Sequence, residues 1–127
     1  MISAPQPEAV EAGLNVFNAG GNVLDAAIAA AMVQTVVDPQ MCGIAGFGSM
    51  QIFMREMGEH SFLDFHGKAP KAATPNMWED LIERECDDGF GFALKGQVNE
   101  FGYKSMTSPM TLQAFDTALK TYGTMQL

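Results

Sequence analysis

Two histidines, two cysteines, a glycine-rich loop and two pairs of adjacent acids are the residues of this 127-residue chain whose types suit chemistry. His60 and His66 stand six positions apart, an even spacing that places both on one face of an extended strand. Neither belongs to an H-x-x-x-H or H-E-x-x-H pattern, and no cysteine or carboxylate completes a set at metal-ligand spacing. No metal site is expected. Cys42 and Cys86 form no C-x-x-C pair. Their separation leaves pairing undecided, with two unpaired thiols the simpler reading.

The loop Gly43-Ile44-Ala45-Gly46-Phe47-Gly48 invites a nucleotide reading and fails its tests. A phosphate loop ends in Gly-Lys-Ser/Thr, whereas Ser49-Met50 follows Gly48. A dinucleotide fingerprint follows a strand and opens a helix, and this loop does the reverse. Its glycines are read as allowing close approach of backbone to a buried helix. Glu79-Asp80 and Asp87-Asp88 are neighbours whose side chains diverge, so neither is a matched acid–base pair. Ser49, Ser61, Ser105 and Ser108 lack a G-x-S-x-G elbow.

The elements that would position these residues have clear local signals. Pro7 suits a first helical turn, and Val10, Leu14 and Phe17 form an apolar stripe behind it. Gly20-Gly21 supplies a left-handed stop. Asn22 then caps a second helix from Val23 to Val37, with Asp25 three residues on, where an acid suits the positive helix end. Asp38-Pro39 stops it. This helix is apolar on nearly every side and should be buried all round. Alternation over Ser49 to Arg55 and Ser61 to Phe65, around a turn at Gly58, predicts a hairpin packed on that helix. Met50, Ile52 and Met54 share one strand face. Thr74-Pro75 predicts a third helix carrying Met77, Trp78, Leu81 and Ile82, and Leu94 to Phe101 a short strand. Ser108-Pro109 predicts the start of a last helix, striped by Leu112, Phe115, Leu119 and Tyr122 and ended by Gly123. These elements give an α+β chain with no repeat, linker or internal boundary over 1–127.

A net charge of −8, with seven scattered basic residues, excludes a nucleic-acid partner. The apolar run Val23–Val37 is too short to span a bilayer and holds Asp25 and Gln34. Met1-Ile2-Ser3-Ala4-Pro5 has neither the basic start nor the apolar core of a signal peptide.

Several of these features occur together in an ordered set. Pro7-Glu8-Ala9-Val10-Glu11-Ala12-Gly13-Leu14 is followed by Gly20-Gly21-Asn22, Asp25-Ala26-Ala27, Val36-Val37-Asp38-Pro39 and the glycine loop. Leu63-Asp64-Phe65, Ala69-Pro70, Ala73-Thr74-Pro75, Gly102-Tyr103-Lys104, Pro109 and Tyr122-Gly123-Thr124-Met125 come after them. The set resembles the start of the large subunit of the gamma-glutamyltransferases, two-part enzymes of the N-terminal-nucleophile hydrolase superfamily. It covers almost the whole chain.

The resemblance implies that these residues are part of a four-layer α-β-β-α sandwich. It implies a precursor that cuts itself, exposing a small-subunit threonine as nucleophile. That threonine passes a gamma-glutamyl group from an amide, as in glutathione breakdown, through an acyl-enzyme to water or an amine. It lies downstream of Leu127, so no catalytic residue is expected here and the 127 residues alone should be inactive. The partners implied are the rest of the large subunit, the small subunit and a small amide substrate, without a cofactor. The family also allows a periplasmic or secreted location.

One family ligand should fall inside the chain. The family reads Asp-x-Arg-Glu-x-Ala-Pro where this chain has Asp64-Phe65-His66-Gly67-Lys68-Ala69-Pro70. The family's arginine grips the substrate's α-carboxylate, a task suited to a planar guanidinium fork. His66 holds its place and becomes the candidate substrate-binding residue. Imidazole is shorter, lacks the fork and has an ordinary pKa of about 6.5. Pro109-Met110 replaces a frequent Pro-Gly. The first departure leaves open an amidase or acylase with a non-glutamyl substrate, and a separate alternative is that the 127 residues are a whole product, a non-catalytic truncated module.

Overall fold

The computed structural model describes residues 1–126. By its internal contacts the chain forms two units, Met1–Gly67 with Pro109–Leu127, and Lys68–Ser108.

In the first unit, helix α1 spans Pro7–Asn18 and helix α2 spans Val23–Val37. Gly20 adopts the left-handed φ of +92° that the stop between them requires. The helices meet through small side chains. Ala9 and Gly13 are the buried residues of α1, and a Cβ on Gly13 would stand 3.0 Å from the Ala26 carbonyl oxygen and 3.6 Å from the Ala30 Cβ. The expected stripe is thereby displaced: Val10 and Phe17 are half-buried, and Leu14 is exposed. A close helix crossing selects the small residues for the contact line and pushes the larger ones to its flanks.

The cap of α2 forms as a reciprocal box. Asn22 Oδ1 accepts from the N–H groups of Leu24 and Asp25, at 2.8 and 3.0 Å. Asp25 Oδ2 accepts from the Asn22 N–H at 2.8 Å. The helix is not buried all round. Leu24, Asp25, Ala26, Ile28, Ala30 and Gln34 are buried, while Val23, Val36 and Val37 are exposed. The rest of the unit covers only part of its circumference.

Strands β1 (Ser49–Met54) and β2 (Glu59–Asp64) pair antiparallel, with Met50 opposite Leu63 and Ile52 opposite Ser61. Ile52 is buried, and Met50, Met54 and Leu63 pack on the same core. Phe53 and Phe62 face outward, each more than 60% exposed. Helix α3 spans Thr111–Tyr122. Leu24 and Ile28 of α2, Ile52 and Phe65 of the hairpin, and Ala114, Phe115, Ala118 and Leu119 of α3 form one cluster. The hairpin therefore packs on two helices, and the Phe65 and Phe115 rings meet edge to face at 6.2 Å. Leu112, expected in the α3 stripe, is exposed. Gly48 does not approach a helix. A Cβ there would come within 3.2 Å of the Phe65 ring.

The start of α3 differs from expectation. Ser108 is not its cap: its N–H donates to the Lys68 carbonyl at 3.0 Å, and the helix opens two residues after Pro109, behind Met110, without a side-chain cap.

The second unit holds strands β3 (Ile82–Glu85) and β4 (Phe92–Leu94), paired antiparallel. The helix expected after Thr74-Pro75 is reduced to one 3-10 turn, Glu79–Leu81. Ile82 opposite Leu94 replaces its second half, a non-local pairing overriding a weak local helix signal. Leu94–Phe101 is likewise not a strand, since a 3-10 turn at Lys95–Gln97 follows β4. Mixed helix and antiparallel strand make the chain α+β.

Candidate functional site

His66 lies just beyond the end of β2, held by the residue two places before it. Asp64 Oδ1 accepts the His66 backbone N–H at 3.0 Å and lies 2.7 Å from the ring Nδ1. This is the local loop by which an aspartate bonds its own backbone two residues on. The His66 backbone N–H, and then its ring, hold the Asp64 carboxyl below its ordinary value. An ionised carboxylate only accepts hydrogen bonds, so the Nδ1 contact requires a proton on Nδ1. Phe47, from the glycine loop, sets its ring 5.5 Å from the imidazole at a 34° tilt. The His66 and Asp64 side chains are 62% and 64% exposed.

The other candidates do not join them. His60 faces outward from β2, its Nε2 2.7 Å from Gln51 Nε2 and its ring edge-on to Phe53. The Phe65 that separates Asp64 from His66 points into the core. Cys42 and Cys86 are free and half-buried. No group of three metal-ligating side chains converges among the described residues. No helix among them is long and apolar enough to cross a membrane.

A cavity of about 660 Å³ lies within the second unit, lined by Met77, Trp78, Ile82, Phe92, Leu94 and Asn99 among others. Neither His66 nor Asp64 contributes to it. The indole N–H of Trp78 and the amide oxygen of Asn99 are buried without a hydrogen-bond partner among the described residues.

A second polar constellation, which sequence reasoning assigned to helix capping alone, surrounds Asp25. This carboxylate is buried at 4% exposure. Beyond Asn22 it accepts from the Thr124 N–H, the Thr124 hydroxyl at 2.6 Å and the Met125 N–H at 3.2 Å. Asn22 Nδ2 donates to the Tyr122 carbonyl at 2.6 Å. Burial raises the Asp25 pKa, but the bonds from Thr124, Asn22 and Met125 outweigh it and hold the carboxyl below its ordinary value. Every donor is internal to the unit, so the arrangement is a structural clamp. The recurrence of Asn22-x-x-Asp25 and Gly123-Thr124-Met125 in the family-like pattern was the available signal; their contact was not readable.

Known proteins resemble the chain in sequence and in fold. The gamma-glutamyltranspeptidase family matches over residues 9–127. The chain is 36% identical over 124 residues to a glutathione hydrolase proenzyme of Pseudomonas sp. (strain A14), covering 98% of this chain and 20% of that protein. It is 34% identical over 130 residues to the acylase ACY 1 proenzyme of Pseudomonas sp. (strain V22), covering 100% of this chain and 22% of that one. The crystal structure of Helicobacter pylori gamma-glutamyltranspeptidase superposes with a TM-score of 0.79 at 34% identity, over 97% of this chain and 32% of that one. The chain thus spans about a fifth of the length of these curated relatives. With sequence and backbone agreeing from α1 to the Thr124 clamp, the chain belongs to the gamma-glutamyltranspeptidase family, within the N-terminal-nucleophile hydrolase superfamily.

Proposed function

We propose that residues 1–127 are the N-terminal part of the large subunit of an enzyme that opens an amide bond through a threonine acyl-enzyme. The observation that carries this reading is the match over residues 9–127 in both sequence and fold. The chain forms one section of a four-layer sandwich, completed by the remainder of the large subunit and by the small subunit. The reacting threonine comes from the small subunit after self-cleavage, its own amine serving as base. These 127 residues alone are then inactive. Their contribution to the site is His66, at the place of the family's carboxylate-binding arginine.

His66-Gly67 in place of Arg-Glu favours a second substrate class. An acylase relative matches at 34% identity, and an amide without a glutamyl head suits a site that has lost its guanidinium fork.

The test is made on the whole protein containing this chain. Mass spectrometry is expected to show two subunits, the smaller beginning with threonine, and the matured protein is expected to release p-nitroaniline from γ-glutamyl or other acyl anilides. An uncut protein inactive on all of them overturns the reading.

A further inference from the structure

We infer that the Asp64–His66 pair recognises an uncharged hydrogen-bond donor on the acyl side of the substrate, and that it disfavours a carboxylate there. The inference rests on the reading above in one respect, that His66 lines the substrate pocket. Asp64 is ionised and receives Nδ1–H, so a neutral His66 carries its lone pair on Nε2. A lone pair accepts from an N–H or O–H and repels a carboxylate. Protonation turns Nε2 into a donor, but Asp64 then balances the charge. The ring thus offers a carboxylate one donor at most, and only when protonated, where arginine offers a permanent fork. Both protonation states lose the carboxylate grip. The Phe47 ring beside the imidazole adds an apolar flank, which suits a carboxamide or hydroxyl on a hydrocarbon acyl chain.

Asp64 acts here as a positioning residue. Its two bonds to His66 fix both the ring orientation and the tautomer.

The experiment compares two p-nitroanilides with the whole, matured protein: γ-glutamyl-p-nitroanilide, and the same molecule with its α-carboxylate converted to carboxamide. The expected result is a kcat/KM at least about tenfold higher for the carboxamide, the ratio that one misplaced charged hydrogen bond gives. His66→Arg should reverse the preference, chiefly through KM. Asp64→Asn should narrow it by raising activity on the carboxylate substrate, an effect that simple loss of structure does not produce. Equal or better use of the free carboxylate by the unaltered protein overturns the inference, as does an equal change in both substrates for the two variants. If neither anilide turns over, the enzymatic reading is what fails. Calorimetric binding of glutamate against its α-carboxamide then decides the pair's preference. Tighter glutamate, or no binding of either, overturns the inference on its own.

Discussion

Thr124 donates its hydroxyl, at 2.6 Å, and its backbone N–H, at 3.1 Å, to the carboxylate of Asp25, 99 positions earlier in the chain. The acid that closes the cap of α2 therefore also fixes the segment leaving α3. Two local motifs, a helix start and a helix end, share one buried charge. Replacing Asp25 with Ala should strand the Asn22, Thr124 and Met125 donors and cost about 3 kcal/mol. Hydrogen exchange checks this: the Thr124 and Met125 amides should lose protection more than amides in the β1–β2 hairpin. Equal loss everywhere would show a global effect instead of a clamp.

The same group sets an acid limit on stability. The folded Asp25 pKa lies below its ordinary value of 3.8 because the hydrogen bonds outweigh burial. A depressed carboxyl stabilises the fold above the unfolded pKa, and that stabilisation fades as pH falls through 3.8 toward the lower folded value. Urea midpoints measured from pH 6 down to pH 3 should fall at the acid end. Asp25→Asn should lower the midpoint at pH 6 and flatten the fall. An unchanged slope in the variant would assign the acid sensitivity to other groups.

Gly123 is the residue that lets this clamp close. A Cβ there would lie 2.7 Å from the Leu119 carbonyl oxygen and 2.8 Å from Asp25 Oδ1. The first atom is backbone and the second belongs to a carboxylate held by the Thr124 and Met125 N–H groups, so backbone or carboxylate must shift. Gly123→Ala should cost about 2 kcal/mol. Gly58→Ala makes a useful contrast: an added Cβ there meets no atom within 4 Å, and its strain comes only from φ of +65°. Calorimetric unfolding of both variants separates overpacking from backbone strain.

Legibility in the sequence followed the range of the interactions. Helix α2 carries its start, its apolar run and its stop within eighteen residues, Gly21 to Asp38, and it forms with the expected ends. The β1–β2 hairpin is equally local, and its inward face is the expected one. The stretch after Thr74-Pro75 misled because Ile82 finds its partner at Leu94, which no helical stripe announces. Helix α1 misled differently. Its largest apolar residues form the stripe, but a close crossing is made by Ala9 and Gly13. His66 is distinguished from His60 only by its place in the family-like pattern. The Asp-x-His spacing was a readable signal for the Asp64 bond, since an aspartate two residues ahead commonly closes on the following backbone.

The core at the hairpin should be sensitive to truncation. Phe65 and Phe115 are 8% and 5% exposed and pack edge to face. Phe115→Ala removes the α3 side of that contact and should cost about 3–5 kcal/mol. Phe115→Leu, which keeps most of the volume, should recover more than half of it. Chemical denaturation of the two variants checks the order, and equal losses would show that the ring pair contributes shape rather than burial.

The last prediction concerns the faces that the first unit leaves open. Val23, Val36 and Val37 are exposed on α2, and Phe53 and Phe62 on the outer side of the hairpin. A helix with exposed apolar residues on a mostly apolar sequence, and a strand pair with two outward phenylalanines, are surfaces that ordinarily meet other protein. Produced as these 127 residues alone, the chain should bind a hydrophobic dye and self-associate. The whole protein should bind far less dye per molecule. Phe53→Ser with Phe62→Ser should reduce self-association of the isolated piece without touching the Ile52 side of the sheet. Sedimentation velocity and dye fluorescence read both effects. A monomeric isolated chain that melts cooperatively and binds no dye would show that these faces need no cover, and would count against the reading of the chain as one section of a larger sandwich.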